Sequence, residues 1–419
     1  MTRRNAGSLL VALAMALSPL AAGAEPTGTF RFADQVRLVT MDPQRHSGGG
    51  IPYLRPVYES LFRLDDEGVP VPHLATGWRI DGDTATLTLR EGVTFSDGAP
   101  LDAEAVAANI NRGIGIGVLE GLLSVASAEA TGPLEVTLTM KEADPSLIFA
   151  LAGTAGMMIS PAAMDDPALD RNPVGSGPFV YDPADSREGE VRVYTPNPTY
   201  WEPEAQTLAR YEVWEIPDDT ARLNALRTGQ IDAGIWLSNP QAAQIDRSPD
   251  LELIRNSGGL NYHVVISDRG GEQVPAFADR RVRQAMAHAI DRQAFNKAIL
   301  FGLGEPTWQP YPAGAWSEPA LENRYPYDPD AARALLAEAG TLARRSRTTD
   351  FPATNLVWNT VADPKYLALR YFNEDGAYNP FHGVPSDELA SLIAQGVATA
   401  DAAERAPVYR RMAERIADE

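Results

Sequence analysis

Apolar residues along this chain switch repeatedly between every second position and every third or fourth, the mark of alternating strands and helices. The densest example is YESLFRLDDEGVPVPHLATGWRIDGDTATLTLREGVTFSDGAPLDAEAVAAN, which starts at Tyr58 and ends at Asn109. Asp81 and Gly82 separate Trp78 and Ile80 from the alternating Ala85, Leu87 and Leu89, the composition of a hairpin turn between half-buried strands. The break at Asp97-Gly98-Ala99-Pro100 is followed by Asp102, placed to cap a helix carrying Val106 and Ile110. Further strands are predicted over residues 30–39, over 135–140 with Val136, Leu138 and Met140 on one side, and over 253–266, interrupted at Ser257-Gly258-Gly259. Residues 147–158 are apolar and read as buried core. A helix is predicted after Asp218 or Asp219, with Leu223 and Leu226 inward and Gly229 as its left-handed end. Ile231, Ala233 and Ile235 follow at strand spacing, and Val282, Ala285, Met286, Ala289 and Ile290 then recur at helical spacing. Asp328-Pro329 opens another helix that closes at Gly340, and the last one carries Val408, Met412 and Ile416.

The chain of 419 residues exceeds what one hydrophobic core usually organises, so two lobes are expected. The formal charge is −20, a balance that repels phosphate backbones and anionic lipid and speaks against a nucleic-acid or membrane-surface protein. Arg3 and Arg4, an apolar run over residues 9–20 and Ala22-Gly23-Ala24 have the layout of a cleavable secretory signal, giving a mature start at Glu25. The apolar run is too short to span a bilayer. Removal of residues 1–24 takes two arginines with it and leaves −22. The absence of cysteine excludes disulfides, a thiol nucleophile and a lipid-modified cysteine anchor.

The stretch from Tyr58 to Asn109 resembles the signature region of the bacterial extracellular solute-binding proteins of family 5. The residues that carry the likeness are Tyr58-Glu59-Ser60-Leu61, Pro72-His73-Leu74-Ala75 with Trp78, Leu89-Arg90, Gly92-Val93-Phe95, Asp97-Gly98-Pro100 and Ala103 with Val106. The resemblance continues through Asn172-Pro173-Val174-Gly175-Ser176-Gly177-Pro178-Phe179, the Asn197, Tyr200, Trp201 segment, the run from Phe277 to Ala285 and Ala289-Ile290-Asp291-Arg292. It implies an α/β, two-lobed, type II periplasmic-binding-protein-like fold of the Venus-flytrap kind with mixed sheets. The lobes are expected over residues 25–257 and 258–419, with a hinge crossover near 236–262. Relatives usually carry a strand-helix-strand unit after the helix ending at Gly340, and strands that return to the first lobe after the last helix. Residues 341–353 here are basic and aperiodic, so the second lobe is expected to be incomplete.

The resemblance further implies a periplasmic receptor of an ABC importer, binding a small solute without a cofactor, acting as a monomer and docking on permease subunits. Peptides lead among the expected solutes, with nickel complexes, oligosaccharides and opine-like conjugates behind. The ligand candidates are His46, in the loop that looks into the cleft in relatives, and Trp236, Asn261, Tyr262, Trp308, Tyr311, Trp316, Trp358 and Asn359, at crossovers or in loops. Aromatic walls with a few polar groups are how small-molecule sites are usually built. No acid directly follows Trp358, where peptide-binding relatives place an aspartate for the ligand's amino terminus, and the next one is Asp363. The five histidines show no metal-site spacing. The other readings of the chain are a secreted hydrolase and a truncated receptor that no longer works. Against the first, the glycines around Ser176 have the wrong spacing for a nucleophile elbow and Pro178 cannot sit in the helix that such an elbow opens.

Overall fold

The computed structural model describes residues 25–45, 50–66, 68–255, 260–266, 268–309, 317–340, 353–359, 385–399 and 402–418. The strands are β1 (Thr29–Asp34), β2 (Phe62–Leu64), β3 (Pro70–Pro72), β4 (Ala75–Asp81), β5 (Thr84–Leu89), β6 (Val125–Gly132), β7 (Glu135–Met140), β8 (Phe179–Arg187), β9 (Val191–Pro196), β10 (Arg210–Glu215), β11 (Ala233–Gly234), β12 (Leu260–Ile266) and β13 (Ala353–Asn359). The helices are α1 (Ile51–Leu54), α2 (Ala103–Ile116), α3 (Leu147–Leu151), α4 (Asp219–Arg227), α5 (Asn239–Ile245), α6 (Arg280–Ala289), α7 (Arg292–Ile299), α8 (Pro329–Glu338), α9 (Asp387–Ala398) and α10 (Ala402–Asp418).

Two sheets dominate the first half of the chain. The signature hairpin pairs β4 with β5, Asp81 opposite Thr84 around a turn in which Gly82 takes φ +59°, and extends antiparallel to β7 and β6. Ala85, Leu87, Leu89, Val136, Leu138 and Met140 all point into one core with Val106 and Ile110 of α2 and Leu147 and Leu151 of α3. Each such aliphatic side chain contributes about 1.5–3 kcal/mol by burial, so period-two patterning decides which face of the sheet is inside. The helix α2 starts where its cap dictates, with the Asp102 carboxylate accepting from the Ala105 amide at 3.0 Å, and stops at Gly117, φ +71°.

The second sheet has the order β11-β1-β10-β9-β8, with β1 parallel to both neighbours and β9 antiparallel to β10 and β8 on either side. The mixed sheet is as expected, but its first strand is shorter than the predicted 30–39. The carboxylate of Asp34 accepts from the Val36 amide at 3.0 Å and turns the chain, which leaves Val39 fully in solvent. The predicted strand at Ile231, Ala233 and Ile235 is likewise only the two residues of β11.

The later part of the chain holds the pair β12-β13, the packed helices α6 and α8, the helix α7 and the hairpin of α9 and α10. Its core gathers Leu321, Leu389, Leu392, Tyr409 and Met412 and shares no residue with the clusters of the first half. The predicted strand over 253–266 begins only at Leu260. Helix α8 is capped by Asp328, which accepts from the amides of Asp330 and Ala331, and Gly340 follows it at φ +69°. The 341–352 insert lies outside the described residues.

Candidate functional site

The parallel strands β11, β1 and β10 end side by side, and in open α/β sheets the crevice beyond such carboxyl ends is where ligands collect. The Asp34 carbonyl at the end of β1 accepts from the Ile216 amide at 2.8 Å, and the Ala33 carbonyl accepts from the Ile235 amide at 3.2 Å. The chain leaving β10 and the chain leaving β11 are thus both tied to the last residues of β1. Underneath them lies Arg222 of α4, fully buried. Its guanidinium donates to the carbonyls of Ile216, Pro217 and Trp236. Burial pulls the Arg222 pKa down, and the nearby carboxylates of Asp219, Asp34 and Asp218 offset part of that pull. Asp34, also fully buried, is pushed up by burial against the hydrogen bonds from Val36 and Gln35 and the charge of Arg222.

Above this floor stands Trp236, at φ +60° a conformation that a bulky L-residue adopts only under constraint. The residue is 37% exposed and stands just before the start of α5. The Asn239 amide side chain at the head of α5 donates to the Ile299 carbonyl of α7 at 3.3 Å. One turn back on α7, Phe295 meets Tyr262 of β12 with ring centroids 6.4 Å apart, and the two are 38% and 40% exposed. The crossover from the first half of the chain thus reaches an open aromatic pair of the second.

A second polar constellation is buried within the signature. One carboxylate oxygen of Glu59 accepts from the Tyr200 hydroxyl at 2.9 Å, the other from the Ser176 hydroxyl at 2.9 Å, and the Trp201 indole approaches both at 3.2–3.3 Å. His73 completes the ring, with Nε2 3.1 Å from Glu59 and Nδ1 3.0 Å from the Ser60 carbonyl. Arg90 lies over the Trp201 ring at 4.3 Å and donates to the His73 carbonyl at 3.0 Å. Ser176, fully buried with its hydroxyl on Glu59, is a strut and not a nucleophile. The flanking glycines are there for closeness, since a Cβ at Gly175 would lie 2.2 Å from the Val57 carbonyl oxygen.

Of the ligand candidates, Trp236 and Tyr262 lie on the open faces just described. Asn261 and Tyr262 lie in the strand expected over 253–266, and Trp358 and Asn359 lie in a strand, not a loop: Asn261 pairs with Trp358, Leu260 with Asn359 and Tyr262 with Val357 across β12-β13. Trp308 is set apart, donating its indole N–H to the Tyr325 carbonyl at 3.0 Å with Arg292 5.5 Å from its ring centroid. It lines a small cavity of about 270 Å³ with Ile290, Arg292, Asn323 and Tyr327. His46, Tyr311 and Trp316 lie outside the described residues. The base of the His46 loop is described, and there Arg112 grips Asp42 in a fork at 2.7 and 3.2 Å and donates to Gln44 at 2.8 Å. Phe295 escaped the sequence reading because its helix looks like any amphipathic one. Among the described residues no group of three histidines and carboxylates is placed to hold a metal ion, and no helix is long and apolar enough to cross a membrane.

Two mixed α/β lobes with a crevice at the carboxyl ends of parallel strands define the type II periplasmic-binding-protein fold. The same fold is seen in HbpA2 from Haemophilus parasuis, with a TM-score of 0.80 at 21% identity over 93% of this chain and 92% of that one. It is seen again in the periplasmic binding protein DppA from Helicobacter pylori in complex with the peptide STSA, with a TM-score of 0.75 at 21% identity over 94% and 91% of the two chains. The sequence model of the bacterial extracellular solute-binding proteins, family 5 Middle, matches residues 69–369, and the chain belongs to that family. It is 31% identical over 292 residues to the glutathione-binding protein GsiB of Salmonella paratyphi A, across 68% of this chain and 56% of that protein. With its counterpart from Escherichia coli O157:H7 the identity is 30% over 351 residues, 81% of this chain and 67% of the relative. The chain therefore spans between a little over half and two thirds of the length of these relatives.

Proposed function

We propose that this chain is the solute-binding receptor of an ABC importer, which closes two lobes around a small peptide-like solute and passes it to membrane permease subunits. In this reading residues 25–257 are the first lobe, 258–419 the second, and the crossover between residues 236 and 262 is the hinge. Residues 1–24 are removed on export, and the mature chain works as a soluble monomer in the periplasm. It binds without chemical turnover, because closure needs only a ligand with higher affinity for the closed state.

The observation that carries the reading is Trp236. An exposed indole, held in a strained backbone by a buried arginine at the carboxyl ends of parallel strands, is costly to the fold and useful to a ligand. The choice of solute class is supported by the GsiB relatives, named for the tripeptide glutathione, and by the peptide held in the DppA neighbour. The missing acid after Trp358 argues for a recognition of the amino terminus that differs from that of peptide-binding relatives.

Thermal melts of the purified chain against reduced glutathione, di- to tetrapeptides, nickel–histidine complexes, opines and sugars test the proposal. A solute at one hundred times its dissociation constant adds about 2.7 kcal/mol to the folded state and raises the midpoint visibly. A cooperative melt that no solute class moves overturns it.

A further inference from the structure

Arginine is among the residues least often fully buried, and a charge taken out of water demands several compensating partners. Arg222 has no exposed surface at all. Three of its partners are backbone carbonyls, two just past β10 at Ile216 and Pro217 and one just past β11 at Trp236. Among the described residues no side chain accepts from it, yet the Asp34 carboxylate at the end of β1 attracts it electrostatically. Asp34 Oδ2 and Arg222 Nε each lack a hydrogen-bond partner among the described residues, so the two side chains are not joined through these atoms. What the guanidinium does satisfy is the carbonyl of the one strained tryptophan, and a planar fork can join two chain segments in a fixed geometry where an ammonium cannot.

We propose that Arg222 is a positioning residue for the ligand crevice: its fork ties the crossover to the carboxyl end of β10 and thereby fixes the orientation of the Trp236 indole. The role rests on the reading of Trp236 as a wall of the crevice. Asp34 supports it from beneath by keeping a counter-charge at the end of β1, and α4 supplies the rigid base, its start fixed by the Asp218 cap at 2.7 Å from the Ala221 amide. The arrangement separates two duties that a site residue usually combines. Trp236 presents surface, and a residue that touches no solvent decides where that surface points.

The test uses the full chain labelled with 5-fluorotryptophan, whose seven indoles give seven fluorine resonances, the Trp236 line being assigned by Trp236→Phe. Arg222→Met keeps the stem and removes the fork. It is expected to displace and broaden the Trp236 line while those of Trp78, Trp201 and Trp308 stay in place. Arg222→Lys, which keeps the charge but not the fork, is expected to displace the same line without restoring it. An unmoved Trp236 line in either folded variant overturns the proposal, and so does collapse of all seven lines in both variants, because Arg222 would then serve the fold as a whole. Titration of the unsubstituted chain with reduced glutathione is read on the same spectrum. If no line moves with glutathione while Arg222→Met still displaces Trp236, glutathione is not the solute and the positioning role stands.

Discussion

Replacing Glu59 with leucine leaves three donors around an apolar side chain, the Ser176 and Tyr200 hydroxyls and the Trp201 indole N–H, and takes away the carboxylate that His73 Nε2 faces. Glu59 is 5% exposed and Ser176 fully buried, so water offers little replacement. A buried donor stripped of its acceptor costs about 1–3 kcal/mol, although neighbouring donors in one network do not add up in full. With several buried donors stripped of one shared acceptor, the Glu59→Leu loss is placed at about 3–5 kcal/mol. Glu59→Gln is the informative partner. Its amide oxygen can still accept from Tyr200 and from Trp201 and face His73, and its NH2 can donate to the Ser176 hydroxyl, so only the second Trp201 contact and the carboxylate are lost. The glutamine variant is therefore placed at about 1–2 kcal/mol. For a lobe of this size 3–5 kcal/mol lowers the melting midpoint by on the order of 10 °C. Urea denaturation followed by tryptophan fluorescence reads both variants. The reasoning is refuted if Glu59→Leu lies within about 1 kcal/mol of the parent chain, or if glutamine is as damaging as leucine.

Other outcomes follow from single residues. Trp236→Ala is expected to weaken solute binding by about 10- to 100-fold in a calorimetric titration, the loss for about 1.4–2.8 kcal/mol of aromatic contact. Trp236→Gly should weaken it as much, yet be more stable than the alanine variant by about 1 kcal/mol in a urea titration, because glycine accepts φ +60° without strain. Gly175→Ala cannot be accommodated without moving the Val57 carbonyl, and a loss of at least about 2 kcal/mol is expected from the same titration. Asp34 sets a pH dependence whose sign is fixed. Its folded pKa lies above the usual 3.8, so the native state binds more protons than the unfolded one between the two values. Stability falls as pH rises through that window, and Asp34→Asn should remove the falling component in denaturation curves taken from pH 3 to 7.

Local signals were legible in the sequence where the cause was local. The Asp81-Gly82 turn, the Asp102 cap and the alternation of Leu87 with Leu89 each act within a few residues, and the structure places all three as read. The first strand was overrun because nothing in the apolar pattern of residues 30–39 shows that the Asp34 side chain will capture the Val36 amide. Tyr262 fell within the strand predicted over 253–266, but nothing local showed that this strand pairs with the one carrying Trp358. The two polar constellations were out of reach for a different reason. Apart from His73, Glu59 finds its partners 117 to 142 positions away, and Arg222 serves a carbonyl across the crossover, so neither role leaves a full spacing to read. The signature residues themselves were recognisable, but the reason for their types is the Glu59 ring that the fold assembles.

The most direct test of the account is a calorimetric titration of the mature chain, residues 25–419, with reduced glutathione and a series of di- to tetrapeptides. It predicts a saturable isotherm with one site per chain for at least one of them, and the same isotherm weakened about 10- to 100-fold in Trp236→Ala while the melt stays cooperative. Flat isotherms across the whole series, from a chain that melts cooperatively, would contradict it.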